Sequence, residues 1–136
     1  NELGIGFVAY SPLGRGFLTG IIQSSDDLAD NDGRRNHPRF QGGNLERNLR
    51  IVDEIRAIAA DRGVTTAQLA LTWVLSRGDD IVPIPGTTRP ERLEENLRAL
   101  EITLEDAELR RLENAVPVGA AAGDRYPAAP MRFVNG

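Results

Sequence analysis

No cysteine and no lysine occur in this sequence, and histidine occurs once, at His37. Without cysteine there is no disulfide scaffold, no thiol nucleophile and no thiolate metal site. The lack of lysine removes Schiff-base chemistry and lysine general acid or base catalysis, so all sixteen basic residues are arginine. No run approaches the roughly 18 apolar residues of a membrane span, and the first residues lack the charged-then-apolar pattern of a signal peptide. A cytoplasmic address with no membrane partner is the resulting expectation. The formal net charge of −4 argues against a nucleic-acid surface, which needs a basic patch or stripe.

What is present, 40% hydrophobic and 26% charged residues over 136 positions, fits one globular domain. The sequence opens at Asn1 without an initiator methionine, and Glu2-Leu3-Gly4 reads as a helix end running into a strand. A missing N-terminal portion is therefore expected. Ile5 to Ser11 is a short apolar run, read as a parallel strand buried on both faces. Pro12 ends it, and Gly14, Gly16 and Gly20 make a loop that lets backbone approach a ligand. Gln23 to Asn44 is polar and reads as a long surface loop. Leu45, Leu49, Val52, Ile55 and Ala59 recur at helical spacing with Gly63 as the stop. A capping box from Thr65 to Gln68 opens a second helix, AQLALTWVLSR, apolar nearly all round and so expected to be buried. Asp80 to Pro85 reads as a second strand despite Pro83, which removes a ladder donor. Boxes from Thr88 to Glu91 and from Thr103 to Asp106 open two further helices, and the tail from Val118 is irregular.

Two strands separated by helices imply a right-handed parallel crossover, the unit of α/β barrels and doubly wound sheets, here with unpaired edges. Two segments could carry chemistry. In Tyr10-Ser11-Pro12-Leu13-Gly14-Arg15-Gly16, a tyrosine at a strand exit offers a flat face to an aromatic ring, while Ser11 and the glycine-rich backbone offer donors to a pyrophosphate. The same residues also read as a strand and a flexible turn. The glycines do not match a Rossmann fingerprint. In Pro85-Gly86-Thr87-Thr88-Arg89-Pro90-Glu91-Arg92, a strand passes into a helix N-terminus, where free N–H groups favour anions. Thr87, Arg89 and Arg92 could clamp a phosphate there. The alternative is a solvated face with both arginines paired to Glu95 or Asn96.

The combination of YSPLGRGFLTG, then TAQLALTW at Thr66 to Trp73, then IPGTTRPERLEEN about seventy residues after the first, resembles the last two strands of the aldo-keto reductase barrel. The tail segment Gly123-Asp124-Arg125-Tyr126-Pro127 is similar to the bacterial-type branch of that family. The resemblance covers essentially the whole chain. It implies the α/β fold class: the C-terminal portion of a (β/α)8 TIM barrel, with its last two strands and their helices, an extra helix and a tail. Residues 1–136 would be one fragment of a single barrel domain of about 250 residues, needing the missing N-terminal part of the barrel.

The resemblance also implies an NADP(H)-dependent enzyme acting on a small carbonyl substrate. Tyr10 would stack on the nicotinamide, and Ser11, Leu13, Gly14 and Gly16 would line the pyrophosphate. Thr87, Arg89 and Arg92 would hold the adenosine 2′-phosphate, and Glu95 and Asn96 would touch the adenine. Many animal relatives place a lysine where Gly86 stands, which leaves NAD(H) open as a second cofactor. The family's aspartate, tyrosine, lysine and histidine lie on earlier strands, so no catalytic residue is assigned here and the fragment alone is expected to be inactive. His37 reads as a surface residue, and no metal site is expected. Two other readings remain: a non-catalytic nucleotide-sensing or channel-associated regulatory subunit of the same fold, and a small α/β module with no ligand.

Overall fold

The structure is a computed structural model that describes residues 2–134. Strands β1 (Phe7–Tyr10) and β2 (Ile81–Ile84) form a two-stranded parallel sheet. Between them lie helices α1 (Gly42–Arg62) and α2 (Thr66–Leu75); α3 (Pro90–Leu97), α4 (Asp106–Ala115) and a short α5 (Ala128–Met131) follow. The parallel crossover expected from the strand and helix order is formed.

Pro83 fits the sheet because of its phase. The Phe7 N–H donates to the Asp80 carbonyl, so alternate residues of β2, Val82 and Ile84, turn their backbone groups to β1. Pro83 then faces the outer edge, where no ladder donor is required.

Burial of the first strand is corrected. Phe7, Val8 and Tyr10 are exposed, as are Val82 and Ile84 on β2. Apolar strands of a parallel sheet need layers on both faces. Among the described residues, α2 is the main element packed against β2, and both outer sheet edges are open. Burial of α2 holds for Ala67, Leu69 and Leu71, whereas Trp73 is 37% exposed and carries the Arg77 guanidinium over its ring.

The surface loop is also corrected. Residues 23–44 contain three single 3-10 turns, Ser25–Asp27, Gly33–Asn36 and Pro38–Phe40, and the first residues of α1. Leu28 and Phe40 anchor this stretch in a core with Phe17, Ile22, Leu45 and Val52, where Phe17 and Phe40 meet edge to face at 5.2 Å. A second core joins Ile55, Ile58 and Ala59 of α1 to Leu69 of α2, and to Leu104 and Leu112.

Caps set the helix ends. Gly63 closes α1 in the left-handed conformation, φ 70°. Thr65 and Gln68 form the expected reciprocal box. The other two boxes shift. A residue before proline is pushed to extended backbone, so Arg89 (φ −109°, ψ 122°) becomes the N-cap of α3, with Pro90 in its first turn. In α4 the Glu108 carboxylate accepts the Glu105 N–H at 2.8 Å, two residues later than Thr103–Asp106.

Candidate functional site

The parallel register places Tyr10 opposite Ile84, so the chain leaves both strands at the same end of the sheet. Ser11 and Pro85 therefore start two turns that run side by side. Neither motif alone dictates this; the crossover through α1 and α2 does.

The first turn is built on left-handed backbone. Ser11, Gly14, Arg15 and Gly16 have φ of 55°, 58°, 59° and 86°. Its amides are largely used within the turn: Gly14 N–H donates to Ser11 O, Gly16 N–H to Leu13 O, and Arg15 N–H to Ser11 Oγ. This corrects the expectation that the glycine backbone is a ready set of free donors. The Ser11 hydroxyl, which accepts from Arg15, still has its proton to give. Arg34 closes the turn from outside by donating to the Arg15 carbonyl at 3.0 Å. Arg34 is itself gripped by Asp32 through Nε at 3.0 Å and Nη2 at 2.7 Å. Hydrogen bonds from Arg34 hold the Asp32 carboxyl down at about 2.

In the second turn, Thr87 Oγ1 accepts the Arg89 N–H at 3.2 Å. Helix α3 is fixed to α2 by two buried side chains: Gln68 Nε2 donates to Glu95 O at 3.0 Å, and Thr72 Oγ1 donates to Ala99 O at 3.1 Å. Each satisfies a group that burial would otherwise penalise.

A cavity of about 430 Å³ lies between the turns, a size suited to a small-molecule site. Ser11, Leu13 and Gly16 line it from one side; Thr87, Arg92, Glu95 and Asn96 line it from the other. Three further candidates from the sequence, Tyr10, Gly14 and Arg89, are not in its lining. Tyr10 is exposed on the sheet, and Arg89 is exposed at the N-cap of α3. Pairing of Arg89 or Arg92 with Glu95 or Asn96 is not formed: among the described residues neither guanidinium has an ion pair or hydrogen bond. Arg15 and Arg34 join the lining, together with Thr19, Thr65 and Gly86. Sequence reasoning missed Arg34 because a residue eighteen positions beyond Gly16 reaches the turn only through the fold. The walls thus carry three guanidiniums, from Arg15, Arg34 and Arg92, against the single carboxylate of Glu95, a donor set that suits a polyanion.

His37 is corrected from a surface residue to a half-buried one. Its ring lies 5.9 Å from that of Tyr126 and 6.5 Å from that of Phe40, and Nδ1 is buried without a hydrogen-bond partner. Burial, then the charges of Arg15 and Arg39, hold its pKa below the ordinary imidazole value. A histidine kept neutral in this way and lying outside the cavity lining does not stand in for a catalytic acid. Among the described residues no helix is long and apolar enough to cross a membrane.

Residues 1–117 match the sequence pattern of the Aldo/keto reductase family. "Probable aldo-keto reductase 1" of Glycine max is 47% identical over 128 residues, covering 93% of this chain and 36% of that protein. The aldo-keto reductase yakc of Schizosaccharomyces pombe, whose name carries NADP(+), is 47% identical over 127 residues, 93% of this chain and 37% of its own length. This chain therefore spans little more than a third of either relative. Among solved structures, a glycerol dehydrogenase from Gluconobacter oxydans superposes with a TM-score of 0.72 at 29% identity, over 80% of this chain and 33% of that one.

Proposed function

The chain belongs to the aldo/keto reductase family, with the fold of a portion of its (β/α)8 barrel, and from that premise we propose that residues 1–136 are the C-terminal part of one barrel domain in an NADP(H)-dependent oxidoreductase. The intact protein interconverts aldehydes or ketones and alcohols, and this chain supplies much of the cofactor-binding side. The observation that carries the reading is the single cavity shared by both strand-exit turns, with Arg92 in its wall and unpaired among the described residues.

The donor set fits the cofactor. Thr87 and Arg92 would hold the 2′-phosphate, Glu95 and Asn96 the adenine, and Ser11, Leu13 and Gly16 the diphosphate. Gly14 and Arg89 act from just outside the cavity wall, Gly14 by shaping the turn and Arg89 by adding positive charge at the start of α3. The exposed Tyr10 ring, beside Ser11 at the sheet end, is the platform for the nicotinamide. NADP(H), when bound, supplies or accepts the hydride. The proton-transferring groups belong to other strands of the barrel, since this chain offers no lysine and His37 is sequestered.

The test is Arg92→Ala in the intact protein. The NADPH KM should rise by the equivalent of about 1.5–3 kcal/mol, as for a hydrogen bond to a charged group, with NADH nearly unaffected. Equal losses for the two cofactors would remove Arg92 from the 2′-phosphate site.

A further inference from the structure

Among the described residues, Ser11 and Arg15 are the two non-glycine residues with left-handed backbone, and both line the same cavity. For Arg15 this is costly, because its Cβ crowds the following carbonyl in that conformation, whereas the glycines on either side adopt it freely. Strain of this kind persists where surrounding structure holds it and the side chain is needed. The turn provides the hold: Ser11 Oγ takes the Arg15 N–H at 3.2 Å, and Arg34 Nη1 donates to the Arg15 carbonyl at 3.0 Å. The side chain has no ion pair among the described residues. Its guanidinium instead lies over the Tyr126 ring at 5.0 Å.

Tyr126 is delivered from more than a hundred residues away by a firmly seated tail. Buried Asn48 pairs with Ala122 in both directions, Nδ2 to O at 2.9 Å and N to Oδ1 at 2.7 Å. Arg39 Nε donates to Gly123 O at 3.3 Å. A Cβ on Gly123 would come within 2.9 Å of the Pro38 carbonyl, so only glycine lets the tail lie this close.

We propose that Arg15 is a phosphate-binding residue of the cavity, directed at the diphosphate of the dinucleotide and positioned by Tyr126 of the tail. The proposal rests on the dinucleotide reading above and adds to it a ligand-contacting residue and a positioning residue. A guanidinium stacked flat on an aromatic ring keeps its N–H edges available to an anion. Arg15 belongs to the turn of Ser11, across the cavity from Thr87 and Arg92, so its anion is the diphosphate and not the 2′-phosphate.

In the intact protein, Arg15→Gly separates the two contributions, since it relieves the backbone while deleting the guanidinium. Kd values for NADPH and NADH, measured by fluorescence titration without substrate, should both rise about tenfold or more. The melting temperature should stay level or rise. Tyr126→Leu should reproduce part of the loss in both Kd values, and Tyr126→Phe, which keeps the ring, should bind like the parent. If Arg15→Gly leaves both Kd values within twofold while Arg92→Ala still separates NADPH from NADH, the role of Arg15 is overturned and the cofactor reading stands. The same result with a raised KM for a carboxylate-bearing aldehyde would assign Arg15 to substrate, which also overturns it. Absence of any titration by the parent protein would remove the cofactor reading and this inference together.

Discussion

Gly86 lines the cavity, and a Cβ built on it meets no atom within 4 Å. Its backbone is also outside the left-handed region, so a side chain there is unstrained. Gly86→Lys should therefore fold normally and raise the preference for NADPH over NADH about five- to tenfold by adding a cation beside Thr87 and Arg92. Steady-state KM ratios for the two cofactors would check this, and an unchanged ratio would place the 2′-phosphate elsewhere. His37 makes a pH prediction. Its pKa is lowered in the fold, so below the ordinary value near 6.5 the unfolded chain takes up the proton first. The stabilising contribution is present above that value and is lost as pH falls through the window beneath it. Urea midpoints should drop between pH 7 and pH 5, and His37→Gln should flatten that drop. Asp32 acts with the same sign at lower pH: its carboxyl sits at about 2, so its contribution fades from about 3.8 downward. Residue identity made Arg92, Thr87 and Ser11 legible as candidates, because each stands in a local motif. Arg15 and His37 were not legible, because their roles depend on a left-handed φ and on Tyr126 far along the chain.

At the level of elements, what local chemistry decides was readable. Gly63 and the Thr65–Gln68 box fix the junction of α1 and α2 through contacts within a few residues. Where a second local effect competed, the reading slipped: Pro90 moved the start of α3 to Arg89. Burial of β1 was misread because a strand's sequence states what it can bury, not which layers cover it. Gln68 links this scale to the site, since its side chain caps α2 and holds the Glu95 carbonyl. Thr65→Ala should cost about 1 kcal/mol, the value of one cap. Gln68→Ala should cost more, because it also strands the buried Glu95 carbonyl, and it should weaken NADPH binding through α3. Denaturant unfolding and cofactor titration of the two variants would separate these effects; equal losses in both would show that the α3 tether contributes nothing.

Considered whole, the described chain leaves an apolar sheet open at two edges, with Phe7, Val8, Val82 and Ile84 exposed. Exposed apolar edges pair with whatever strand is at hand. The 136-residue chain expressed by itself should therefore self-associate in a concentration-dependent way in sedimentation velocity, and Val82→Lys should reduce the association. A monodisperse monomer at high concentration would contradict this. The same open sheet brings the two motif turns to one end, which is the premise of the proposed cofactor site. The most direct measurement is a crystal structure of the intact protein with NADP(+). One nucleotide should span the cavity, with its diphosphate against the Ser11–Gly16 turn and its 2′-phosphate at Thr87 and Arg92. A nucleotide bound elsewhere, or Arg92 turned away from it, would contradict the assignment.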